Sequence, residues 1–195
     1  MKNMQISDRQ FGVLMSLPGL LILLLWVGVP LLILFVVSFT RYDVITPTQF
    51  VGFANYIEML SDRIFRIAFM NTLVFFAGST LLAFLISFPA AWCLSRIGRG
   101  GTVMRTLVMF PWAVPLIVSG FIWGWIFNSS YGVLNHLLVT AGAVARNVNF
   151  LGQGATAMMA VIVADSWTRV PFMTILTLAG FEGINRDLYE SASID

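Results

Sequence analysis

One long run without charge constrains the fold of this chain more than any other feature of its sequence. The residues from Gln10 to Thr40 include no Asp, Glu, Lys or Arg. About 20 consecutive apolar residues are enough to cross a lipid bilayer as a helix. The chain as a whole is 58% hydrophobic and only 10% charged, with a mean hydropathy of +0.88, which is too apolar for a soluble domain. The run therefore predicts a first transmembrane helix over about 14–39.

Three further apolar stretches follow, and together they predict an all-α, polytopic helical membrane protein. The residues from Ile67 to Ser95 are again uncharged and predict a second span over 67–95. We expect a third span over 103–127 and a fourth over 155–181, with a short extramembrane helix around 55–60. A cleaved signal peptide is the alternative for the first stretch, but the stretch is too long and has no small-residue cleavage site.

The third predicted span contains two prolines, Pro111 and Pro115, and the glycine pair Gly120 and Gly124. Each proline removes a backbone donor and leaves a carbonyl unpaired, which is tolerated only where protein or a water-filled cavity satisfies that carbonyl. The G-x-x-x-G spacing of the glycines favours close helix packing. The polar, glycine-containing stretch after this span is expected to be an outer loop.

Arginines set the expected orientation of the spans. Arg96, Arg99 and Arg105 flank a tight glycine-rich turn, and basic residues in short loops are typical of the cytoplasmic side. This places the N-terminus in the cytoplasm, with six Lys and Arg inside against four outside. The location predicted is the bacterial cytoplasmic, or inner, membrane.

The fourth predicted span carries two ionisable residues near its middle, Asp165 and Arg169. Such residues are costly in a membrane and usually face a cavity or each other. Their spacing of four allows a simple intrahelical ion pair. Alternatively they form a solute site with Thr168 and Phe172, because the four residues make one stripe at i, i+3, i+4 and i+7. A carboxylate, a guanidinium, a hydroxyl and an aromatic ring suit a polyhydroxylated solute, and the two interpretations can both hold.

Catalytic chemistry has little support in the sequence. The chain lacks a phosphate-binding G-x-x-x-x-G-K-[ST] motif and its only lysine is Lys2, so it cannot bind ATP in that manner. His136 is the only histidine and has no second ligand near it for a metal. We therefore expect no catalytic residue, no metal and no cofactor, and no basic run suggests nucleic acid. A polytopic membrane enzyme, such as a lipid-head-group transferase, is the alternative function.

The last stretch of the chain predicts a short amphipathic helix. Asn185 can cap its N-terminus, and Leu188, Ala192 and Asp195 fall on one face at i, i+4 and i+7. By physical chemistry alone such a turn is usually a surface helix without a special task.

Six short motifs in order give the chain a more specific resemblance. They are Phe50–Tyr56, Asn71-Thr72, Arg105–Trp112 in part, Tyr131–Asn135, Trp167–Phe172 and the C-terminal stretch Leu178–Asp195. Together they resemble the carbohydrate-uptake permeases, maltose and glycerol phosphate permeases among them, of ATP-binding-cassette importers. The C-terminal stretch is similar to the EAA motif of that family, although Asn185 and Ser191 stand where the family usually has proline and alanine.

The resemblance implies a fold, a role and partners. It implies the type I importer transmembrane-domain fold, built from about six spans, of which this chain would hold four and stop inside the EAA motif. It implies that the cytoplasmic segment 182–195 is the coupling helix of the ATPase cleft, and that the fourth span lines the solute pathway. The partners implied are a second permease subunit, an ATP-binding-cassette ATPase dimer, an extracytoplasmic solute-binding protein, membrane lipid and a sugar-like solute. The coupling residues expected are Leu188, Tyr189, Glu190, Ala192 and Asp195.

Overall fold

The computed structural model describes residues 7–43, 45, 47–98, 101–152 and 154–185. The chain divides into two units, Met1–Ala68 and Phe69–Asp195. The described part is helical apart from one two-residue strand pair and the connecting loops, which confirms the predicted all-α class. Helix α4 begins in the first unit and continues into the second.

The first unit begins with an apolar helical run that contains one π-helical turn. Helix α1 (Asp8–Leu23) starts at a capping box formed by Ser7 and Gln10. A π-helical turn (Leu24–Gly28) leads to α2 (Val29–Val37). Val29 N–H donates to Leu24 O, five residues back, which is the hydrogen bond of a π-helix. The next residue, Pro30, has no N–H to donate. The run Gln10–Val37 is long and apolar enough to cross a membrane.

A small cluster of hydrogen-bonded side chains follows in the same unit. Strands β1 (Thr40–Arg41) and β2 (Gln49–Phe50) pair antiparallel, and helix α3 (Ala54–Ser61) comes next. Asn55 Nδ2 donates to the carbonyls of Ser38 at 2.8 Å and Thr40 at 2.9 Å. The Tyr56 hydroxyl lies 2.6 Å from Ser38 Oγ. The motif Phe50–Tyr56 thus serves to fold this extramembrane segment.

The second unit is built from α4 (Arg63–Arg96), α5 (Gly101–Ala113), α6 (Leu116–Ile126), α7 (Val133–Thr140) and α8 (Gly154–Glu182). Small buried side chains recur every four residues along α4, at Ser79, Ala83, Ser87 and Ala91. Such a stripe lets another helix approach closely. Ser166 Oγ of α8 donates to Ser79 O at 3.2 Å, so α8 is the helix that packs there.

A sharp break divides the predicted third span. Helices α5 and α6 meet at 87° instead of forming one straight helix. Pro115 is the N-cap of α6; it has no N–H to continue α5, and a proline disfavours helical geometry at the residue before it. Pro111 lies inside α5 without ending it. Three described helices are long and apolar enough to span a membrane, and the bent pair would make four.

Within the described residues, no helix packs closely on the glycines of α6. A Cβ placed on Gly120 or Gly124 would meet no atom within 4 Å in the described part of the chain. Close packing of small residues occurs instead between α4 and α8, where a Cβ on Gly78 would come within 2.7 Å of Ile162 Cδ1. Among the described residues close helix packing thus involves Gly78, and the packing expected at Gly120 and Gly124 stays a prediction.

The stretch after α6 is held by a buried asparagine. Helix α7 lies in what the sequence predicts as an outer loop, and it carries Asn135, which is 1% exposed. Asn135 Nδ2 donates to Asn128 O at 3.1 Å and Val148 O at 3.0 Å, and its Oδ1 accepts from Val148 N at 2.8 Å. One side chain thus ties both ends of this stretch together.

Candidate functional site

The middle of α8 carries the ion pair that the sequence allows. Arg169 Nε donates to Asp165 Oδ2 at 2.5 Å. Within the part of the chain that the structure describes, this is the guanidinium's one hydrogen bond, so its two terminal amino groups keep their donor capacity. The Arg169 side chain is 58% exposed and that of Asp165 is 22% exposed. The pair therefore exists, and its arginine still offers donors to another molecule.

Thr168 and Phe172 complete the predicted stripe, with different contributions. Thr168 Oγ1 donates to Asp165 O at 2.8 Å in its own helix, so the hydroxyl offers an acceptor to a solute. Phe172 is 54% exposed. Its ring lies nearly parallel to that of Trp112, at an interplanar angle of 22° and a centroid distance of 6.4 Å.

A groove of about 440 Å³ joins these side chains. All four predicted solute-site residues line this groove. Their place on one face of α8 already follows from the helical period. The remaining lining comes from α8 and from both sides of the α5–α6 break: Trp112, Val114, Leu116 and Met173. Its volume lies within the range of small-molecule sites in proteins.

Trp112 is the site residue that the sequence reasoning missed. It belongs to a motif of the family resemblance, and it lies in the groove because α5 packs along α8, where Arg105 also pairs with Glu182. The sequence does not indicate that these two helices are neighbours. The available signal was the proline three residues after an aromatic residue, in a span where irregular backbone must line protein or a cavity.

A second cavity of about 360 Å³ adjoins the groove. The two share Leu116, Asp165 and Thr168. Trp123 also lines the second cavity, and its indole Nε1 is buried without a hydrogen-bond partner among the described residues. Asp165 and Thr168 thus stand where the two spaces meet.

The surroundings of Arg169 decide what the groove can face. Helix α8 is long and apolar enough to span a membrane, and Arg169 lies near its middle. A half-exposed guanidinium at that depth cannot be left against lipid, because charged side chains in spans face a water-filled cavity or other protein. Trp112 and Phe172 line the same groove and share that environment.

The predicted coupling residues Leu188, Tyr189, Glu190, Ala192 and Asp195 lie outside the described residues. Helix α8 ends at Glu182, where the predicted coupling segment 182–195 begins. Glu182 Oε1 accepts from Arg105 Nη2 of α5 at 2.6 Å. Ala91, Leu94 and Leu178 form a buried apolar cluster at this end of the unit. The start of the segment is therefore fixed to α5.

Comparison with known proteins finds sequence relatives among transport permeases. No family model matches it. It is 37% identical over 194 residues to the trehalose/maltose transport system permease protein MalF of Thermococcus litoralis, covering 99% of this chain and 65% of that relative. It is 32% identical over 146 residues to the sn-glycerol-3-phosphate transport system permease protein UgpA of Rhizobium meliloti, covering 75% of this chain and 49% of the relative. The chain thus spans less than two thirds of the length of these relatives.

The fold has a counterpart among solved structures. A chain of a bacterial alginate ABC transporter, crystallised with an alginate pentasaccharide-bound periplasmic protein, superposes with a TM-score of 0.75 at 24% identity. The match covers 97% of this chain and 63% of the other. It shows a common fold, and the permease relatives carry the sequence relationship. The chain is thus similar in sequence, over most of its length, to membrane permease proteins of transport systems, a trehalose/maltose permease and a glycerol phosphate permease among them.

Proposed function

We propose that this chain is part of the membrane-spanning permease subunit of a binding-protein-dependent importer that translocates a sugar or sugar-like solute. ATP hydrolysis in a partner subunit drives the transport. The observation that carries this proposal is the half-exposed Asp165–Arg169 pair in an aromatic-lined groove on a membrane-length helix. Charged side chains in membrane spans face other protein or a water-filled cavity, and a solute pathway is such a cavity.

The groove offers the chemistry that a hydroxylated solute needs. Arg169 supplies fixed donors, Asp165 and Thr168 supply acceptors, and Phe172 supplies a flat apolar face. Transporters place such sites near the midplane, beside broken helices, and the α5–α6 break adjoins this groove. We assign substrate contact to Asp165, Thr168, Arg169 and Phe172.

Coupling to the ATPase is assigned to the C-terminal segment. We assign contact with the ATPase to Leu188, Tyr189, Glu190, Ala192 and Asp195, which lie outside the described residues. The same proposal includes a cytoplasmic N-terminus, which the arginines at 96 to 105 favour.

The partners follow from the same assignment. A second, related permease supplies the opposite wall of the pathway, an ATPase dimer supplies energy, and an extracytoplasmic binding protein delivers solute. The alginate transporter that shares this fold was crystallised in complex with a periplasmic protein carrying an alginate pentasaccharide, which supports the last of these partners.

A membrane enzyme is the weaker proposal. The relatives named above are permease proteins. Enzymes of lipid head groups need clustered acids, histidines or metal ligands, and across residues 7–43, 45, 47–98, 101–152 and 154–185 no three such side chains are grouped to hold a metal ion. The groove's one pair of opposite charges suits binding better than catalysis.

Uptake into vesicles tests the site assignment. The double variant Asp165→Asn, Arg169→Gln of the full-length permease, assembled with its partners, should insert at normal levels and lose uptake. Phe172→Ala should weaken uptake by removing the stacking face. Arg63→Gln, which changes an arginine at the start of α4 outside the groove, serves as the matched control.

An ion pair without solute contact would behave differently. Replacing a buried pair by uncharged residues is often tolerated, whereas a single replacement strands a charge. Uptake near the wild-type rate in the double variant, with impaired insertion in each single variant, would leave only a structural ion pair.

A further inference from the structure

We propose that Arg105 and Glu182 are positioning residues for coupling: their ion pair sets the orientation in which α8 presents the start of the coupling segment to the partner ATPase. The inference rests on the proposed function. It adds two residues to the five that are assigned to ATPase contact, and it gives them a different role, because neither is proposed to touch the ATPase.

The pair joins two helices that are distant in the sequence. Arg105 Nη2 of α5 donates to Glu182 Oε1 at 2.6 Å, across 77 residues of chain. Glu182 is the last residue of α8. The next residue still bonds back into the helix, since Gly183 N–H donates to Ala179 O at 3.0 Å. The ion pair therefore acts at the point where the chain leaves α8.

Apolar contacts hold the same end of α8 against α4. Leu178 is 2% exposed and clusters with Ala91 and Leu94. The rings of Phe88 and Phe181 meet edge to face, with centroids 5.4 Å apart. Apolar burial is non-directional, so these contacts favour closeness of the two helices more than one orientation of the end of α8.

The guanidinium of Arg105 supplies a direction, because its donors lie in one plane at fixed angles. Arg105 Nε is buried and has no hydrogen-bond partner among the described residues. The acidic residues in the described part of the second unit are Asp165 and Glu182, and Asp165 pairs with Arg169. In that part of the unit Glu182 is thus the carboxylate available to Arg105.

The pair should affect ATPase binding more than folding. The side chains of Arg105 and Glu182 are 41% and 52% exposed, and exposed ion pairs add little to stability. An apparent dissociation constant, however, rises in inverse proportion to the fraction of molecules in the binding-competent conformation. A modest bias in the orientation of the end of α8 is therefore enough to change ATPase affinity severalfold.

Binding of the partner ATPase to the full-length permease, assembled with its second permease subunit in lipid nanodiscs, tests the proposal. Glu182→Arg and Arg105→Glu each bring like charges together and should raise the dissociation constant of the ATPase about tenfold. The double variant Arg105→Glu, Glu182→Arg restores an ion pair and should return that constant to within about threefold of the wild type. Glu58→Arg, the same reversal at an exposed glutamate of α3, is the matched control and should leave binding unchanged.

Insertion and unfolding are measured on the same variants, and both should stay near the wild-type values. If a single reversal fails to insert, Arg105→Ala and Glu182→Ala replace the reversals. Either alanine removes the whole pair, so the double alanine variant should bind the ATPase about as weakly as each single one.

Three results would overturn the proposal. Wild-type affinity in both single reversals would show that the pair does not act on the coupling segment. A double reversal as weak as the single ones, or additive losses in the alanine series, would show that Arg105 or Glu182 contacts the ATPase directly. In these cases ATPase binding by the wild type would leave the proposed function standing, whereas a wild type that binds no ATPase would contradict that function itself.

Discussion

Asn135 offers the sharpest test of how the second unit is held together. It is 1% exposed, and it makes three hydrogen bonds to backbone groups seven and thirteen residues away. A neutral hydrogen bond contributes about 1 kcal/mol net, and a buried partner left unpaired costs about 1–3 kcal/mol. Asn128 O also accepts a hydrogen bond from Gly132 N at 3.0 Å, so leaving it without the Asn135 donor costs less free energy. We expect Asn135→Ala to lower the free energy of unfolding by about 3 kcal/mol.

Two further variants separate hydrogen bonding from side-chain volume. Asn135→Asp has nearly the same shape and keeps an acceptor for Val148 N–H, but it turns a carboxylate oxygen toward two carbonyls and should be no better than Ala. Asn147→Ala removes one hydrogen bond, 2.8 Å long, from an exposed side chain to Ser129 O, and should cost no more than about 1 kcal/mol.

Denaturant titration of the purified protein in detergent, followed by tryptophan fluorescence, measures these differences. If Asn135→Ala and Asn147→Ala unfold at the same denaturant concentration, the three bonds do not hold the stretch. If Asn135→Asp equals the wild type, the side-chain amide is not the donor that the structure shows.

Three further predictions concern single sites. Gly132→Ala should lower the free energy of unfolding by about 2 kcal/mol or more, because a Cβ would lie 2.6 Å from Ile126 O and closer still to Asn128 O; Gly120→Ala, with open space around it, is the control, and equal stability of the two variants would contradict the clash. Glu182→Gln should cost no more than about 1 kcal/mol, because it and Arg105 are 52% and 41% exposed; a larger loss in the same titration would show that the pair is more buried in the assembled protein. Glu190→Ala, at a residue outside the described structure, should leave insertion intact and uncouple ATP hydrolysis from uptake, since the proposed coupling role gives Glu190 a charge-assisted bond of about 1.5–3 kcal/mol; unchanged uptake would remove the support for a coupling role.

The parts of the fold that could be predicted are those that depend on local sequence. The apolar runs predict the long helices because crossing length and hydropathy are properties of a single segment. The pairing of Asp165 with Arg169 follows from helical spacing alone, and the structure contains that contact. The site assignment built on it stays a prediction until uptake is measured.

The features that could not be predicted depend on contacts distant in sequence. Asn135 reads as an ordinary polar residue in a polar stretch, because its partner Val148 is thirteen residues away. The stripe from Ser79 to Ala91 is visible as a period of four, but its meaning depends on α8 lying against it. Trp112 lies beside Phe172 because α5 and α8, which are distant in sequence, pack against each other.

Helices α5 and α8 each reach from the groove to the start of the coupling segment. Helix α8 carries Phe172 in the groove and Glu182 at its end, and ten helical residues span about 15 Å. Helix α5 carries Trp112 in the groove and Arg105 in the bridge to Glu182. A solute in the groove would thus contact two helices that are joined again by the bridge between Arg105 and Glu182. Because packed helices shift as units more readily than they deform, we expect a displacement in the groove to reach the coupling segment through this pair of helices.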